Sequence, residues 1–213
     1  RAPPLRLPGE TSATLDNPER FPFIDRLISF EEGQSLTGES TLSTDEMLFL
    51  VDHSIDGTPY HPGVMALEMF AEHALLLCPG YAIAGFESVE FGLPIKLMKG
   101  DLKVRTVASV DRTDGDLMWV KTHVESDLVN SKGQILGQSL QHHQGMVRLI
   151  RKAEDLTSHF VNELASSPRL GVPAEGELLL PASFIYERYF HGPRFQSHGG
   201  VLRGIGDPNS PGC

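Results

Sequence analysis

The sequence predicts an α+β fold: one long interior helix wrapped by a curved antiparallel sheet. Three observations carry this. The stretch 64–77 repeats apolar residues at helical spacing through Val64, Leu67, Ala71, Ala74 and Cys78, while Met65, Met69, Phe70 and Leu75 populate its other faces. A helix that is apolar nearly all round belongs in an interior. Beyond Pro79-Gly80 the apolar period changes to two, over 83–91, 101–111, 117–127, 134–144 and 145–151. The links between these stretches are short and turn-like, as in Arg112-Thr113-Asp114-Gly115 and Asn130-Ser131-Lys132-Gly133. Wrapping such a sheet around the single helix is the economical way to bury it.

The elements follow in order. Residues 1–22 hold five prolines, Pro3, Pro4, Pro8, Pro18 and Pro22, and read as an extended lead-in or linker. The segment opens without Met, a cationic region or an apolar region, so a piece of a longer chain is expected rather than a signal peptide. Residues 23–43 read as two strands about Gly33, and 47–51 as a short apolar run leading into Asp52-His53. The Gly, Pro and Asp of 53–63 make a loop. Pro62 then opens the helix, where a missing N–H costs nothing, and Pro79-Gly80 closes it. The first unit is thus expected over 23–152. Residues 153–180 form a linker containing a short helix, and 181–213 begin a second, incomplete unit.

Composition narrows the function classes. The 213 residues carry 18 Lys and Arg against 28 Asp and Glu, a net charge of -10. That balance argues against nucleic acid as the partner, because affinity for a phosphate backbone comes from clustered cations. No stretch of about 18 uninterrupted apolar residues occurs, so no membrane span is expected. Two cysteines, Cys78 and Cys213, cannot make a disulfide framework. They fit a reducing compartment, and a cytoplasmic location is expected.

The chemistry concentrates at His53, Gly57, Pro62 and Gly63. Histidine is the natural general base near neutral pH. A helix N-terminus offers free N–H groups and the positive end of a dipole. A histidine aimed at such a terminus can take a proton from the carbon beside a carbonyl whose oxygen the helix holds, an oxyanion-type arrangement. Gly63 lets a substrate approach the backbone closely. The plain alternative is a loop histidine that hydrogen-bonds a backbone group.

Two motifs then point to a family. His53-Ser-Ile-Asp-Gly57-Thr-Pro-Tyr60-His-Pro62 matches the HxxxGxxxxP pattern of polyketide synthase dehydratase domains. The continuation through Gly63 to Glu68 also resembles the central helix of 3-hydroxyacyl-carrier-protein dehydratases of fatty-acid synthesis. Far downstream, Tyr189-Phe-His-Gly-Pro-Arg-Phe195-Gln196 is similar to the YGPxFQ signature of the second half of the same domains, with Phe190-His191 inserted between Tyr and Gly-Pro. The resemblance covers roughly 23–206. It implies a double hotdog, each half a long helix wrapped by a curved sheet, of a type I polyketide or polyunsaturated-fatty-acid-type synthase.

The resemblance further implies dehydration of a 3-hydroxyacyl thioester on an acyl carrier protein to a trans-2-enoyl thioester. His53 would remove the α-proton and the Gly63 N–H would polarise the carbonyl, with Gly57, Tyr60, Pro62, Tyr189 and Phe195 about the substrate. No cofactor is implied beyond the phosphopantetheine that carries the substrate. The family's acid, an aspartate on the second hotdog's helix, is expected outside this chain. Within it the candidates are Asp207 and Glu68, the latter at the position that carries the acid in single-hotdog dehydratases. The alternative for Glu68 is a buried structural carboxylate, and Glu68 with Glu72 makes an i, i+4 like-charge pair.

Other residues point elsewhere with less force. His142 and His143 are adjacent on a strand and project to opposite faces, and His61, His73, His123 and His159 lack ligand-spaced partners, so no metal site is expected. Arg148, Arg151 and Lys152 form a basic patch able to receive a carrier protein. The expected partners are that carrier, other synthase domains of the same polypeptide and a homodimer mate, with neither nucleic acid nor membrane. A different class of reading is a non-catalytic hotdog that binds acyl chains or scaffolds the synthase. A hotdog thioesterase fits less well, since it usually relies on a carboxylate base and water.

Overall fold

A computed structural model describes residues 21–98, 100–130, 134–151, 178–187, 190–196 and 200–202. The strands are β1 (Arg26–Glu31), β2 (Ser35–Leu42), the short pair β3 (Ser54–Ile55) and β4 (Thr58–Pro59), then β5 (Tyr81–Phe91), β6 (Leu102–Asp114), β7 (Leu117–Val129) and β8 (Ile135–Arg151). The helices among them are a single turn, α1 (Phe49–Asp52), and α2 (Gly63–Leu77). Six strands form one antiparallel sheet in the order β1-β2-β6-β7-β8-β5. Helix α2 packs against β2, β5, β6, β7 and β8. Register shifts that leave extra residues in β1, β5, β6 and β8 bend those strands and let the sheet curve. This is the hotdog arrangement of an α+β fold.

Alternation builds the concave face. In β2 the inward residues are Leu36, Gly38, Ser40 and Leu42. Opposite them in the next strands come Val104 and Ala108, then Val120 and Val124, and finally Val147 and Leu149, all fully buried. From α2 they meet Ala66, Met69, Phe70, Ala74 and Leu77. Gly38 is small because His73 of α2 lies over it: a Cβ there would collide with His73 Nε2. The His73 Nδ1–H donates to the Met69 carbonyl at 2.7 Å, one turn back along the helix. The helix ends at Cys78, and Gly80 takes up a positive φ of 87°, the left-handed stop expected after a helix. The Gly33 N–H donates to the Leu77 carbonyl at 3.1 Å, which ties the β1–β2 turn to that end.

Two expectations change. Residues 134–144 and 145–151 are one continuous strand, β8, rather than two. Gly145 marks close approach, not a break: a Cβ on it would sit 3.2 Å from Val89 and 3.3 Å from Phe70. Nor is α2 buried all round, for Val64 is 62% exposed and Glu68 is exposed as well, so one strip of its first turns faces outward. The helical stop, the two strands about Gly33 and the later strands lie within a few residues of their expected bounds.

Beyond the sheet, β9 (Leu178–Pro181) pairs antiparallel with β10 (Gly200–Leu202), and between them lie α3 (Ala182–Tyr186) and a 3-10 turn, Pro193–Phe195. Strand β9 starts at Leu178, three positions before 181, where the second unit is expected to begin. The short helix expected from Ala153, the other linker residues up to 177, Tyr189, His159, Asp207 and Cys213 fall outside the described residues. No helix among the described residues is long and apolar enough to cross a membrane.

Candidate active site

The HxxxGxxxxP spacing has a structural cause. Asp56 and Gly57 take positive φ values of 50° and 75° and form the two-residue turn between β3 and β4, the Asp-Gly hairpin signature. The hairpin brings Tyr60 back beside His53. The Tyr60 N–H donates to the His53 carbonyl at 2.9 Å, and the His53 Nδ1–H donates to the Tyr60 carbonyl at 2.9 Å. A carbonyl can only accept, so Nδ1 carries the proton and Nε2 keeps its lone pair. Gly57 therefore sits four residues after His53 because a tight turn is needed to fix the tautomer of the ring.

The chain then runs straight to the helix. His61 N–H donates to the Ile95 carbonyl and Leu97 N–H to the Pro59 carbonyl, each at 3.0 Å. Pro62, buried and extended, stands directly before α2, which has no side-chain cap. Gly63 is the first helical residue, where a backbone N–H has no partner within the helix. The ring of Phe91 lies over it: a Cβ on Gly63 would stand 2.9 Å from Phe91 Cδ1.

The downstream motif docks on the same histidine. His191 pairs with His53 as an isolated antiparallel bridge. The Gly192 N–H donates to the Asp52 carbonyl at 2.7 Å, and Arg194 reaches the Asp52 carboxylate. Gly192 must be glycine, because a Cβ would lie 2.5 Å from Asp52 Oδ1. The ring of His53 is thereby enclosed by Phe190 at 4.9 Å, His191 at 5.3 Å and Phe195 at 5.5 Å, centroid to centroid. Burial, and the neighbouring His191, hold the His53 pKa below its ordinary 6.5 against the opposing Tyr60 carbonyl. The ring is neutral at neutral pH, as a base must be.

The structure thus brings Tyr60 and Phe195 to the His53 ring, while Pro62 and Gly63 follow Tyr60 in the chain at the start of α2. Tyr60 is half-buried, with Lys96 Nζ 5.3 Å from its ring centre. Glu68 is not part of the ring cluster around His53; it is exposed on α2. The buried structural carboxylate considered for Glu68 is instead Glu72, one turn on. It accepts the Phe23 N–H at 2.8 Å, and burial pushes its pKa up to about 8. Protonation of Glu72 also relieves the like-charge pair. The basic patch is divided: Arg148 pairs with Glu87 at 3.1 Å and Arg151 with Asp116 at 3.5 Å, while Lys152 lies outside the described residues.

Three site neighbours escape sequence reasoning. His61 is buried edge-on against Phe23 and Phe49, its pKa lowered to about 3 by burial first and then by the imidazoles of His143, His53 and His142. Phe91 covers Gly63 from a strand distant in sequence, and nothing in the motif announces it. Asp52 could have been suspected only from its place beside His53. Among the described residues no group of three or more His, Cys, Asp or Glu is arranged to hold a metal.

A hotdog that carries a histidine on the hairpin leading into its central helix defines a class, and comparison with known proteins agrees. Residues 22–122 match the family model of the polyketide synthase dehydratase domain. It is 33% identical over 102 residues to the 3-hydroxyacyl-acyl-carrier-protein dehydratase FabZ of Escherichia coli, an alignment covering 42% of this chain and 65% of that protein. The corresponding enzyme of Yersinia enterocolitica is also 33% identical, over 46% of this chain and 63% of its own. The chain thus spans less than two thirds of these relatives. Among solved structures, the dehydratase domain of the CurF module of curacin polyketide synthase superposes with a TM-score of 0.61 at 16% identity, over 86% of this chain and 63% of that one. An inactive mutant of the CurK dehydratase superposes at 0.51 and 15%, over 86% and 56%. These two likenesses establish the hotdog fold.

Proposed function

We propose that this chain dehydrates a 3-hydroxyacyl thioester, carried on the phosphopantetheine of an acyl carrier protein, to a trans-2-enoyl thioester in polyketide or fatty-acid synthesis. The observation that carries the reading is the His53 ring. Its Nδ1–H is committed to the Tyr60 carbonyl, which leaves Nε2 as the base on the hairpin that leads into α2. The matched family and the FabZ relatives support the same reaction.

In this mechanism the thioester carbonyl oxygen lies at the start of α2, where the Gly63 N–H and the helix dipole stabilise the charge that develops on it. Nε2 of His53 takes the α-proton. The electron pair left on the α-carbon forms the double bond as the Cβ–O bond breaks, and the β-hydroxyl leaves as water on receiving a proton from the carboxylic acid that the second hotdog's helix supplies in this family. Phe190 and Phe195 flank the ring and offer apolar surface to the acyl chain. The acyl carrier protein, neighbouring synthase domains and a homodimer mate are the partners this reading calls for, in the cytoplasm.

The test is direct. A 3-hydroxyacyl thioester on a carrier protein is incubated with the full chain and followed by mass spectrometry for loss of one water. Turnover that disappears in His53→Phe supports the reading. Binding of the acyl carrier without any loss of water would instead establish the scaffold reading.

A further inference from the structure

The residues 92–97, which follow β5, strap the His53 hairpin to the sheet. On one side of the strap the Gly92 N–H donates to the His142 carbonyl of β8 at 2.9 Å, and a Cβ on Gly92 would stand 2.7 Å from that oxygen. On the other side the Ile95 carbonyl accepts the His61 N–H, and the Leu97 N–H donates to the Pro59 carbonyl, each at 3.0 Å. Between these two bonds Tyr60 and Lys96 pair as an isolated antiparallel bridge. Tyr60 is the residue whose carbonyl takes the His53 Nδ1–H at 2.9 Å. The strap therefore holds the acceptor that fixes the tautomer of the base.

A buried imidazole pins the strap in turn. His142 is only 6% exposed. Its Nδ1–H donates to the Leu93 carbonyl at 3.1 Å, and its Nε2 accepts from the Ser126 hydroxyl of β7 at 2.8 Å. A carbonyl only accepts, so this ring too is the Nδ1–H tautomer, with both nitrogens engaged. Burial holds its pKa below the ordinary 6.5 against the opposing Leu93 carbonyl. The register shows why the ring points there. Val124 pairs with His143 and Glu125 with Gln141, which leaves His142 as the extra residue of a bulge. A bulge re-aims a side chain and is common beside active sites. In a regular strand His142 and His143 would face opposite ways, whereas here both are buried with ring centroids 6.3 Å apart.

From these contacts we propose that His142 is a positioning residue for the base, its effect on turnover resting on the dehydratase reading. It acts on His53 through the strap. Ser126 orients the His142 ring, the ring holds Leu93, and 92–97 hold Pro59, Tyr60 and His61 so that the Tyr60 carbonyl meets the His53 ring. Release of the strap withdraws that carbonyl, and the His53 proton then divides between the two nitrogens. The fraction of rings protonated on Nε2 has no lone pair there to accept the α-proton.

The experiment reads the His53 ring in the full chain carrying isotope-labelled histidine, at about pH 8, above the ordinary histidine pKa. Imidazole nitrogen shifts distinguish the two tautomers, and His53→Phe identifies the signals. The unaltered chain is expected to show the Nδ1–H form. His142→Leu removes both hydrogen bonds of the pin, and Gly92→Ala forces the strap off β8 without altering the ring. Each should turn the His53 signals into those of a mixture and lower kcat by up to about 10²-fold, the cost of a catalytic group misplaced by about 1 Å, with KM little changed. The amide of His142→Gln can donate to Leu93 and accept from Ser126, so this variant should restore the spectrum and most of the turnover. Protected amides in β6 and β7 show that a variant is folded, and if His142→Leu does not fold, Gly92→Ala decides. An unaltered His53 spectrum in a folded His142→Leu or Gly92→Ala, or a His142→Gln no better than His142→Leu, overturns the assignment and leaves the dehydratase reading standing. Failure of the unaltered chain to dehydrate overturns that reading and the effect on turnover with it, while the spectra still decide whether His142 governs the His53 tautomer.

Discussion

Arg194 donates twice to one oxygen of Asp52, from its backbone N–H at 3.1 Å and from Nη1 at 2.7 Å, across 142 positions of sequence. The contact joins the two motifs, since Asp52 precedes the histidine of one and Arg194 lies inside the other. The Arg194 hydrogen bond is also the largest cause holding the Asp52 pKa below the ordinary carboxylate range. A lowered carboxylate stabilises the docked state above its unfolded pKa and loses that contribution as pH falls through the folded one.

Arg194→Ala should therefore loosen 190–196 without unfolding the sheet. Hydrogen exchange at the amides of Gly192 and Arg194 is expected to accelerate while the amides of β6 and β7 keep their protection. Turnover should fall together with it, because Phe195 and His191 leave the ring of His53. Acidification below the carboxylate range should mimic the variant. Unchanged exchange at Gly192 would mean that the loop is held by its other contacts.

His53 sets the acid limb of the pH–rate profile. Burial and His191 lower its pKa from 6.5, so the neutral, reactive form persists below that value. kcat/KM should rise from acid with its midpoint below pH 6.5. Loss of the base in His53→Phe should cost about 10²–10⁴-fold. An acid limb centred above 6.5 would show that the ring is exposed in the working enzyme.

Much of this was legible in the sequence, and the limits are physical. The hairpin is written in Asp56-Gly57, and the helix in the period from Val64 to Cys78 with Pro62 before it and Gly80 after it. Gly145 misled because a glycine inside a strand marks a break or a close approach equally well, and only the packing of Phe70 and Val89 decides between them. Glu68 and Glu72 have the same side chain one turn apart. Which of them is buried depends on Phe23 offering its N–H from outside the helix, a contact 49 positions away that no local pattern records. The docking of His191 on His53 is likewise a long-range event. The motifs revealed that both segments matter, and their contact came from the fold.

Glu72 should make stability depend on pH. Burial raises its pKa from 4.5 to about 8, with Glu68 adding to the rise and the Phe23 N–H opposing it. Between those values the folded chain binds the proton that the unfolded chain releases, so stability is greatest at the acid end of the window and falls as pH rises through it. Tm should decline from about pH 5 to pH 8, and Glu72→Gln should flatten that decline. A variant with the same slope as the parent would assign it to other groups.

Gly38 and His73 give a packing test of the same helix. A methyl group at 38 collides with His73 Nε2 inside a core where both residues are buried. Overpacking of this kind typically costs about 1–3 kcal/mol. Gly38→Ala should lower Tm accordingly, and His73→Ala in that background should recover part of the loss, although each change alone destabilises. Simple additivity of the two would show that they do not share the space.

Gly63 and Phe91 offer a test at the site itself. Alanine at an ordinary helical position is favoured over glycine by roughly 0.5–1 kcal/mol, so Gly63→Ala would be benign if only helix propensity mattered. Here the new Cβ stands 2.9 Å from Phe91 Cδ1 and 3.1 Å from Cε1, and the ring must move. Phe91 is 54% exposed and is free on one side to swing, so the fold should tolerate the change with little loss of Tm. Turnover should fall instead, because the methyl group and the displaced ring occupy the approach to the Gly63 N–H. Restoring room with Phe91→Ala should recover Tm fully but turnover only in part, since the methyl group remains beside the amide. Steady-state kinetics with thermal melts on the two single variants and the double variant separate these contributions. Undiminished turnover in Gly63→Ala would show that the substrate carbonyl does not approach this end of α2.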